Sequence, residues 1–171
     1  MESYLRGVVP SEMPSAWPSE ALQAQAVIAR SYALRSLRPG SPYDVYADTR
    51  SQVYGGIDRE ATSTTAAVTA TRAQVVSAGG QVAQTFFFST SGGRTASNDE
   101  VWGGAPISYL QSVDDPHDDL SPYHDWTATF TDRQARRKLR SLHVGEIKTP
   151  DATARPPTGR AATADAPGKD G

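Results

Sequence analysis

Hydrophobic and polar positions change their spacing several times along this chain, and each change marks an element. Tyr4, Leu5, Val8 and Val9 crowd together near the start and predict a short helical or extended piece over 2–9 that stops at Pro10. Pro10 and Pro14 stand two residues on either side of Glu12, and each fixes its own φ. The clearest helix follows at about 18–37, opened by Pro18 and closed by Pro39-Gly40. Leu22, Ala26, Ala29 and Ala33 form one stripe on it, and Ala24, Val27, Ile28, Ser31 and Leu34 an adjoining one. Such a wide small-and-apolar arc predicts a central helix.

Residues 41–56 carry no sustained period and read as a long ordered loop. Asp58 can cap a Thr/Ala-rich helix over about 59–72. QVVSA, Gly79-Gly80 and QVAQTFFFS then give the strongest hairpin signal, because a Gly-Gly pair supplies the positive φ angles of a two-residue turn. Beyond a turn-rich stretch at 89–107, YLQSV (109–113) and DWTATFT (125–131) read as strands. Thr131 or Asp132 can cap a basic helix reaching about Leu142, and PPTGR in the polar tail reads as a turn between two short strands without partners. The expected fold is α+β, one domain in which an Ala-rich helix packs on an antiparallel sheet and long loops form a cleft. Residues 1–148 would carry this domain and 149–171 its shortened C-terminal part.

Composition narrows the function classes. The chain has 171 residues, 17 basic and 19 acidic, for a net charge of −2. That balance gives no electrostatic reason to expect a nucleic-acid partner. No apolar run approaches the ~20 residues that cross a bilayer, and mean hydropathy is −0.51. Both ends read as trimmed, so an export signal or anchor can lie outside the chain. Without cysteine there are no disulfides and no thiolate metal ligands.

Four features could carry chemistry, and each has an ordinary alternative. Glu12, just before a buried helix, can serve as an acid–base group or be a surface turn residue. STSGG at 89–93 can bind sugar hydroxyls or be a glycine turn at a strand end. A serine nucleophile there would need a base, and His117, His124 and His143 stand in no nucleophile-elbow context. DDPHDDLSPYHDW (114–126) invites a metal reading, but its histidines are seven apart, so a solvated acidic loop is expected. Arg133, Arg136, Arg137 and Arg140 share one helix face, either solvated or turned to an anionic polymer.

Five stretches occur in a telling order: YLRGVVPSEMPSAWPSEALQAQAVIARSYAL (4–34), YDVYADTRSQVYGG (43–56), FFFSTSGGRTASNDEVWGG (86–104), YLQSVDDP (109–116) and SPYHDW (121–126). Together they closely resemble the sporulation stage II protein D / LytB amidase-enhancer family over about residues 4–130. The resemblance implies bacterial cell-wall work outside the cytoplasm. Sporulation members are lytic transglycosylases that cut peptidoglycan glycan strands and leave a 1,6-anhydro-muramic end. Their catalytic glutamate aligns with Glu12. The family's cleft residues align with Gln25, Arg30 and Tyr32 on the helix, with Gln52 and Tyr54, and with Ser89, Ser91, Gly92 and Gly93 on a facing strand end. Arg30 or Tyr32 would stabilise charge or orient Glu12.

The resemblance also carries an alternative, a non-catalytic module that binds the wall and enhances a partner amidase. The implied partners are therefore glycan strands and a cell-wall amidase, with no cofactor. One departure stands out. Some relatives bind zinc in the loop matched to 43–54, but Ala47, Arg50 and Ser51 occupy those places, so no metal is expected and packing of Tyr43, Tyr46, Val53 and Tyr54 must hold the loop. A histidine that some members place before STSGG is Phe88 here.

Overall fold

The first helix, α1, runs Glu2–Glu12 and passes through Pro10, where the sequence predicted a stop. Pro10 has no N–H to give the Arg6 carbonyl and so removes one helical bond, but the residues after it still close the last turn. The turn closes with Met13 N–H on the Val9 carbonyl (3.0 Å) and Ser11 Oγ on the Gly7 carbonyl (2.9 Å). What ends α1 is Pro14, which forces the preceding Met13 into the extended region (φ −141°, ψ 138°). Glu12 is thus the last helical residue, held at a sharp corner. The computed structural model describes residues 1–138, 151–154 and 163–165.

Helix α2 spans Ser19–Arg35, with Pro18 as its N-cap. Leu22, Ala26, Ala29 and Ala33 are all buried, as their spacing predicts. Their partners differ from expectation. The core joins Leu5, Val8 and Val9 of α1 and Ala26 and Ala29 of α2 to Val68 of α3 (Thr62–Ala70), so α2 packs mainly on helices. Alanine lets backbones approach closely, and helix faces fill that space better than a sheet of two-residue strands. A 3-10 turn at Ile57–Arg59 takes up Asp58, so α3 starts later than predicted, with Ala61 as its N-cap.

The predicted hairpin is present but short. Strands β1 (Ser77–Ala78) and β2 (Gln81–Val82) pair antiparallel around Gly79 and Gly80, whose φ angles are +56° and +76°. It is tied to α2 by Val76 N–H on Ser31 Oγ (2.9 Å) and Thr85 Oγ1 on the Ile28 carbonyl (2.9 Å). Helices plus a small antiparallel sheet make this a mixed α+β architecture.

The chain divides into two units, Met1–Phe87 and Phe88–Gly171. In the second, the strands predicted at 109–113 and 125–131 are not formed. Residues 93–98 and 110–115 instead run beside each other with one bridge, Arg94 to Asp114, supported by Thr95 N–H on Val113 O (2.8 Å) and Asp115 N–H on Gly93 O (3.0 Å). A short helix, α4 (Asn98–Trp102), carries a capping box of Ser97 and Glu100. Thr131 and Gln134 exchange hydrogen bonds at the start of α5 (Asp132–Lys138), and the rest of the basic helix to Arg140 and Leu142 lies outside the described residues. In the tail, β3 (Asp151–Ala154) and β4 (Thr163–Asp165), the two short strands expected on either side of PPTGR, pair antiparallel with each other.

Candidate functional site

The corner at Glu12 is closed by the loop that follows α2. Val53 N–H donates to Glu12 Oε1 at 2.6 Å, while Glu12 Oε2 has no hydrogen-bond partner among the described residues. Gly55 N–H reaches the Gly7 carbonyl (3.0 Å), and the Tyr54 ring packs against α1 at Gly7. A Cβ on Gly7 would stand 2.6 Å from Tyr54 Cε2, so only glycine lets the loop approach this closely. Tyr4 then completes the wall. Its ring stacks on Tyr54 (centroids 5.6 Å apart, 16° between planes) and its hydroxyl donates to Gln52 Oε1 (3.2 Å).

Burial pushes the Tyr4 phenol up to about 12, helped by the nearby Tyr32, Glu12 and Tyr54 groups. Tyr4 therefore stays a neutral donor at any working pH. Together with Ala33, Leu37, Asp44 and Val45 it also lines an open depression of about 270 Å³. Neither Tyr4 nor Gly7 stood among the expected site residues. A tyrosine and a glycine at positions i and i+3 ahead of a glutamate carry no chemical signature of their own.

The expected cleft residues of this unit divide into two groups. Tyr32, half-buried, and Tyr54, 40% exposed, gather with Glu12 around Tyr4. Gln25, Gln52 and Arg30 are buried instead. The amide nitrogens of both glutamines have no partner among the described residues and no exposed surface. Arg30, expected to stabilise charge or orient Glu12, spends its guanidinium on other partners. Its Nε and Nη2 clamp the Glu2 carboxylate at 3.0 and 2.8 Å, and Nη1 and Nη2 reach the Gln74 and Val68 carbonyls at 3.0 and 3.2 Å. That hydrogen bond holds Glu2 below the usual carboxylate range against its partial desolvation. Arg30 fastens α1, α2 and the end of α3 together.

The loop at 43–54 is held by polar contacts as much as by rings. Arg50 lies 3.9 Å over the Tyr46 ring and grips Asp48 with Nη2 at 2.6 Å. Ser51 Oγ accepts from Tyr46 N–H (3.1 Å), Tyr54 N–H reaches the Ala47 carbonyl (3.2 Å), and the Tyr43 ring is tilted against Tyr46. Ala47, Arg50 and Ser51 supply no usual zinc ligand, and the Arg50 guanidinium is engaged by Asp48 and Tyr46. No group of three or more His, Cys, Asp or Glu suited to a metal exists among the described residues.

Ser89, Ser91, Gly92 and Gly93 belong to the second unit and form their own arrangement. Gly92 and Gly93 both have positive φ (+72° and +91°), which turns the chain so that its N–H groups point inward. Ser91 N–H donates to Asp118 Oδ1, and Gly92 N–H to Asp118 Oδ2 at 2.9 Å. The Ser91 hydroxyl donates to Asp115 Oδ2 (2.9 Å) and accepts Gly93 N–H (3.1 Å). Ser91 is consequently an internal strut, whereas Ser89 and Gly92 are exposed. His124 Nδ1 meets Asp118 Oδ2 at 2.5 Å. Burial would raise the Asp118 carboxyl, but His124, Ser91 and Gly92 outweigh it and hold it down at about 2. In return Asp118 raises His124 against the effect of its own burial. The acidic loop is thus no merely solvated segment, because Asp118 is one of its buried anchors.

The sequence model of the family described as "Stage II sporulation protein" matches residues 1–77. The chain is 32% identical to stage II sporulation protein D of Bacillus subtilis over 99% of its own length and 54% of that protein's. It is 36% identical to the amidase enhancer of the same organism, over 81% of this chain and 18% of the relative. An uncharacterised Brachyspira hyodysenteriae protein is 40% identical over 66% of this chain and 31% of its own. The chain belongs to the stage II sporulation protein D / LytB amidase-enhancer family, and it spans about half or less of the length of these relatives. No helix among the described residues is long and apolar enough to cross a membrane.

Proposed function

We propose that this chain cleaves peptidoglycan glycan strands as a lytic transglycosylase, outside the cytoplasm, with Glu12 as its single acid–base group. The observation that carries this reading is the state of the Glu12 carboxyl group. One oxygen is fixed by Val53 N–H, the other has no partner among the described residues, and Tyr4 lies nearby with Tyr32 and Tyr54 beside it. A group held in this way can work on one proton at a time. Protonated, Glu12 gives its proton to the glycosidic oxygen as the C1–O bond breaks. As the carboxylate it then takes the proton of the muramic C6 hydroxyl, whose oxygen bonds to C1 and closes the 1,6-anhydro ring. Glu12 ends protonated again, and no water is consumed. Hydrolytic glycosidases need a second carboxylate to activate or replace water, and this route does not.

Within this reading the expected contacts sort by exposure. Tyr32, Tyr54, Ser89 and Gly92 can touch a sugar, while Gln25, Arg30, Gln52, Ser91 and Gly93 shape the surfaces that do so. No cofactor takes part. The test is incubation with purified peptide-free glycan strands and mass spectrometry of the products. Wild type should yield anhydro-muramic ends, and Glu12→Gln should lower the rate by about 10²–10⁴-fold. Equal product from both proteins would remove Glu12 from the chemistry.

A second reading is favoured by the relative named an amidase enhancer. The chain would then hold glycan strands and stimulate a partner cell-wall amidase without cutting any bond. Amidase stimulation that survives Glu12→Gln undiminished, with no anhydro ends from wild type, would select it.

A further inference from the structure

The turn at Ser89–Gly93 has spent every donor that its glycines turn inward. Ser91 and Gly92 N–H end on Asp118, Gly93 N–H ends on Ser91 Oγ, and that hydroxyl ends on Asp115. What remains for a ligand is the outer side, with the exposed Ser89 hydroxyl and the Gly92 backbone. The direction of that outer side is therefore fixed from beneath by one carboxylate. Asp118 is 6% exposed and sits on a single 3-10 turn, Asp118–Leu120, next to Ser121, whose hydroxyl lies 2.6 Å from Thr90 Oγ1. A buried carboxylate accepting several hydrogen bonds is a rigid anchor, provided its charge is matched. His124 supplies the match. Its Nδ1 is tied to Asp118 and its Nε2 has no partner among the described residues. The carboxylates facing this imidazole among the described residues are Asp118, Asp119 and Asp125, and the groups bonded to the Asp118 carboxylate there are the donors Ser91, Gly92 and His124.

We infer that Asp118, with His124 as its counter-ion, is the positioning residue of the Ser89–Gly93 turn and determines how that turn presents its hydroxyl and carbonyl groups to a saccharide. The saccharide half rests on the glycan-strand reading above. The positioning half does not.

The experiment has two arms on the full chain. Amide hydrogen exchange without ligand reads the turn directly. Asp118→Asn should speed exchange at Ser91 and Gly92 by at least about tenfold while Ala83, whose N–H is bonded in the hairpin, stays protected. The same substitution should return the His124 titration, followed by NMR, toward its ordinary range near about 6.5. His124→Gln should give a smaller acceleration of the same two amides. In the second arm, Asp118→Asn should raise the KM for peptide-free glycan strands by about tenfold or more with kcat little changed, which is the mark of lost positioning and not of lost chemistry. Unchanged exchange at Ser91 and Gly92 overturns the assignment of Asp118. Faster exchange with unaltered KM overturns the role of the turn in holding sugar. A wild type that neither binds nor cleaves glycan sinks the glycan reading alone, because the exchange arm is read without it.

Discussion

The two units of this chain hold their candidate site residues by opposite means. In Met1–Phe87, helices close on an apolar core of Leu5, Val8, Val9, Ala26, Ala29 and Val68, and Glu12 is an outgrowth of that packing. In the residues from Phe88 on, the turn at 89–93 is fixed by side chains bonded to backbone, with Asp118 at the centre and with Trp102, Tyr123 and Trp126 largely exposed. The first arrangement should tolerate changes of charge and resist changes of volume. The second should do the reverse. Functional geometry can be inherited from a core or assembled from polar bonds, and the two are broken by different substitutions.

The one buried ion pair of the first unit gives the largest expected effect, because it is where that unit departs from its own rule. Arg30→Ala leaves Glu2 without its guanidinium partner, takes the Arg30 donor from the Gln74 carbonyl and leaves the Val68 carbonyl with the long Thr71 hydroxyl contact at 3.5 Å. Breaking such a pair from the fully buried side costs about 3–5 kcal/mol, and Glu2, 27% exposed, recovers part of this through water. A thermal melt should show a large loss, whereas Glu2→Gln should cost less. If Arg30→Ala melted like wild type, the clamp would be no fastening at all. Because Glu2 is held below its ordinary range, its contribution is present above about pH 4.3 and fades as pH falls through the lowered value.

Gly7→Ala tests the volume rule. The new methyl meets Tyr54 Cε2 and Cδ2 at 2.6 and 3.0 Å and the Gly56 carbonyl at 3.2 Å. Overpacking of this kind costs about 1–3 kcal/mol. The loop must shift, and with it the Val53 N–H that holds Glu12. Glycan cleavage should therefore fall by more than stability predicts. A fully active Gly7→Ala protein would show that the Tyr54 loop does not govern Glu12.

These contrasts also explain what could be read from the sequence. The α2 stripe and the Gly79-Gly80 hairpin were legible because periodicity and turn chemistry are local signals. The passage of α1 through Pro10 was not, since its stop depends on Pro14 and its last turn on a loop forty residues away. Glu12 was a candidate by its position before a buried helix and a stronger one through collinear family motifs, while its neighbour Tyr4 was not legible, because a phenol–amide contact across 48 residues has no spacing to betray it. The second unit was the least legible. Bonds from a carboxylate to distant N–H groups leave no hydrophobic pattern, so 109–113 and 125–131 read as strands and Asp118 as solvated. The Ser97-x-x-Glu100 capping box was a local signal that could have revealed α4.

Tyr4→Phe sharpens the comparison with a smaller change. It keeps the ring on Tyr54 and removes only the bond to Gln52 Oε1. The loss should be about 1 kcal/mol in a melt. A Tyr4→Leu protein, which loses the stack as well, should fall further in glycan cleavage. Equal behaviour of the two would mean that the hydroxyl, and not the ring, fixes the loop.

The smallest effect belongs to pH, and it should be confined to the second unit between mildly acidic and mildly alkaline conditions. His124 is raised by Asp118, so its contribution is complete below the ordinary histidine value of about 6.5 and is lost as pH rises through the raised value. Asp118 is depressed to about 2, so its contribution is complete above about pH 3.9 and is lost only as pH falls through that low value. Protection of the Ser91 and Gly92 amides should therefore be greatest between about pH 4 and pH 6.5 and decline above it. The decline is modest because neutral imidazole can keep its proton on Nδ1 and still donate to Asp118, so that charge is lost but the hydrogen bond is not. The amides of α2 should show constant protection factors over the same range, since no group that titrates there holds that helix. A pH response of equal size in both units would erase the distinction between a turn held by charge and a corner held by packing.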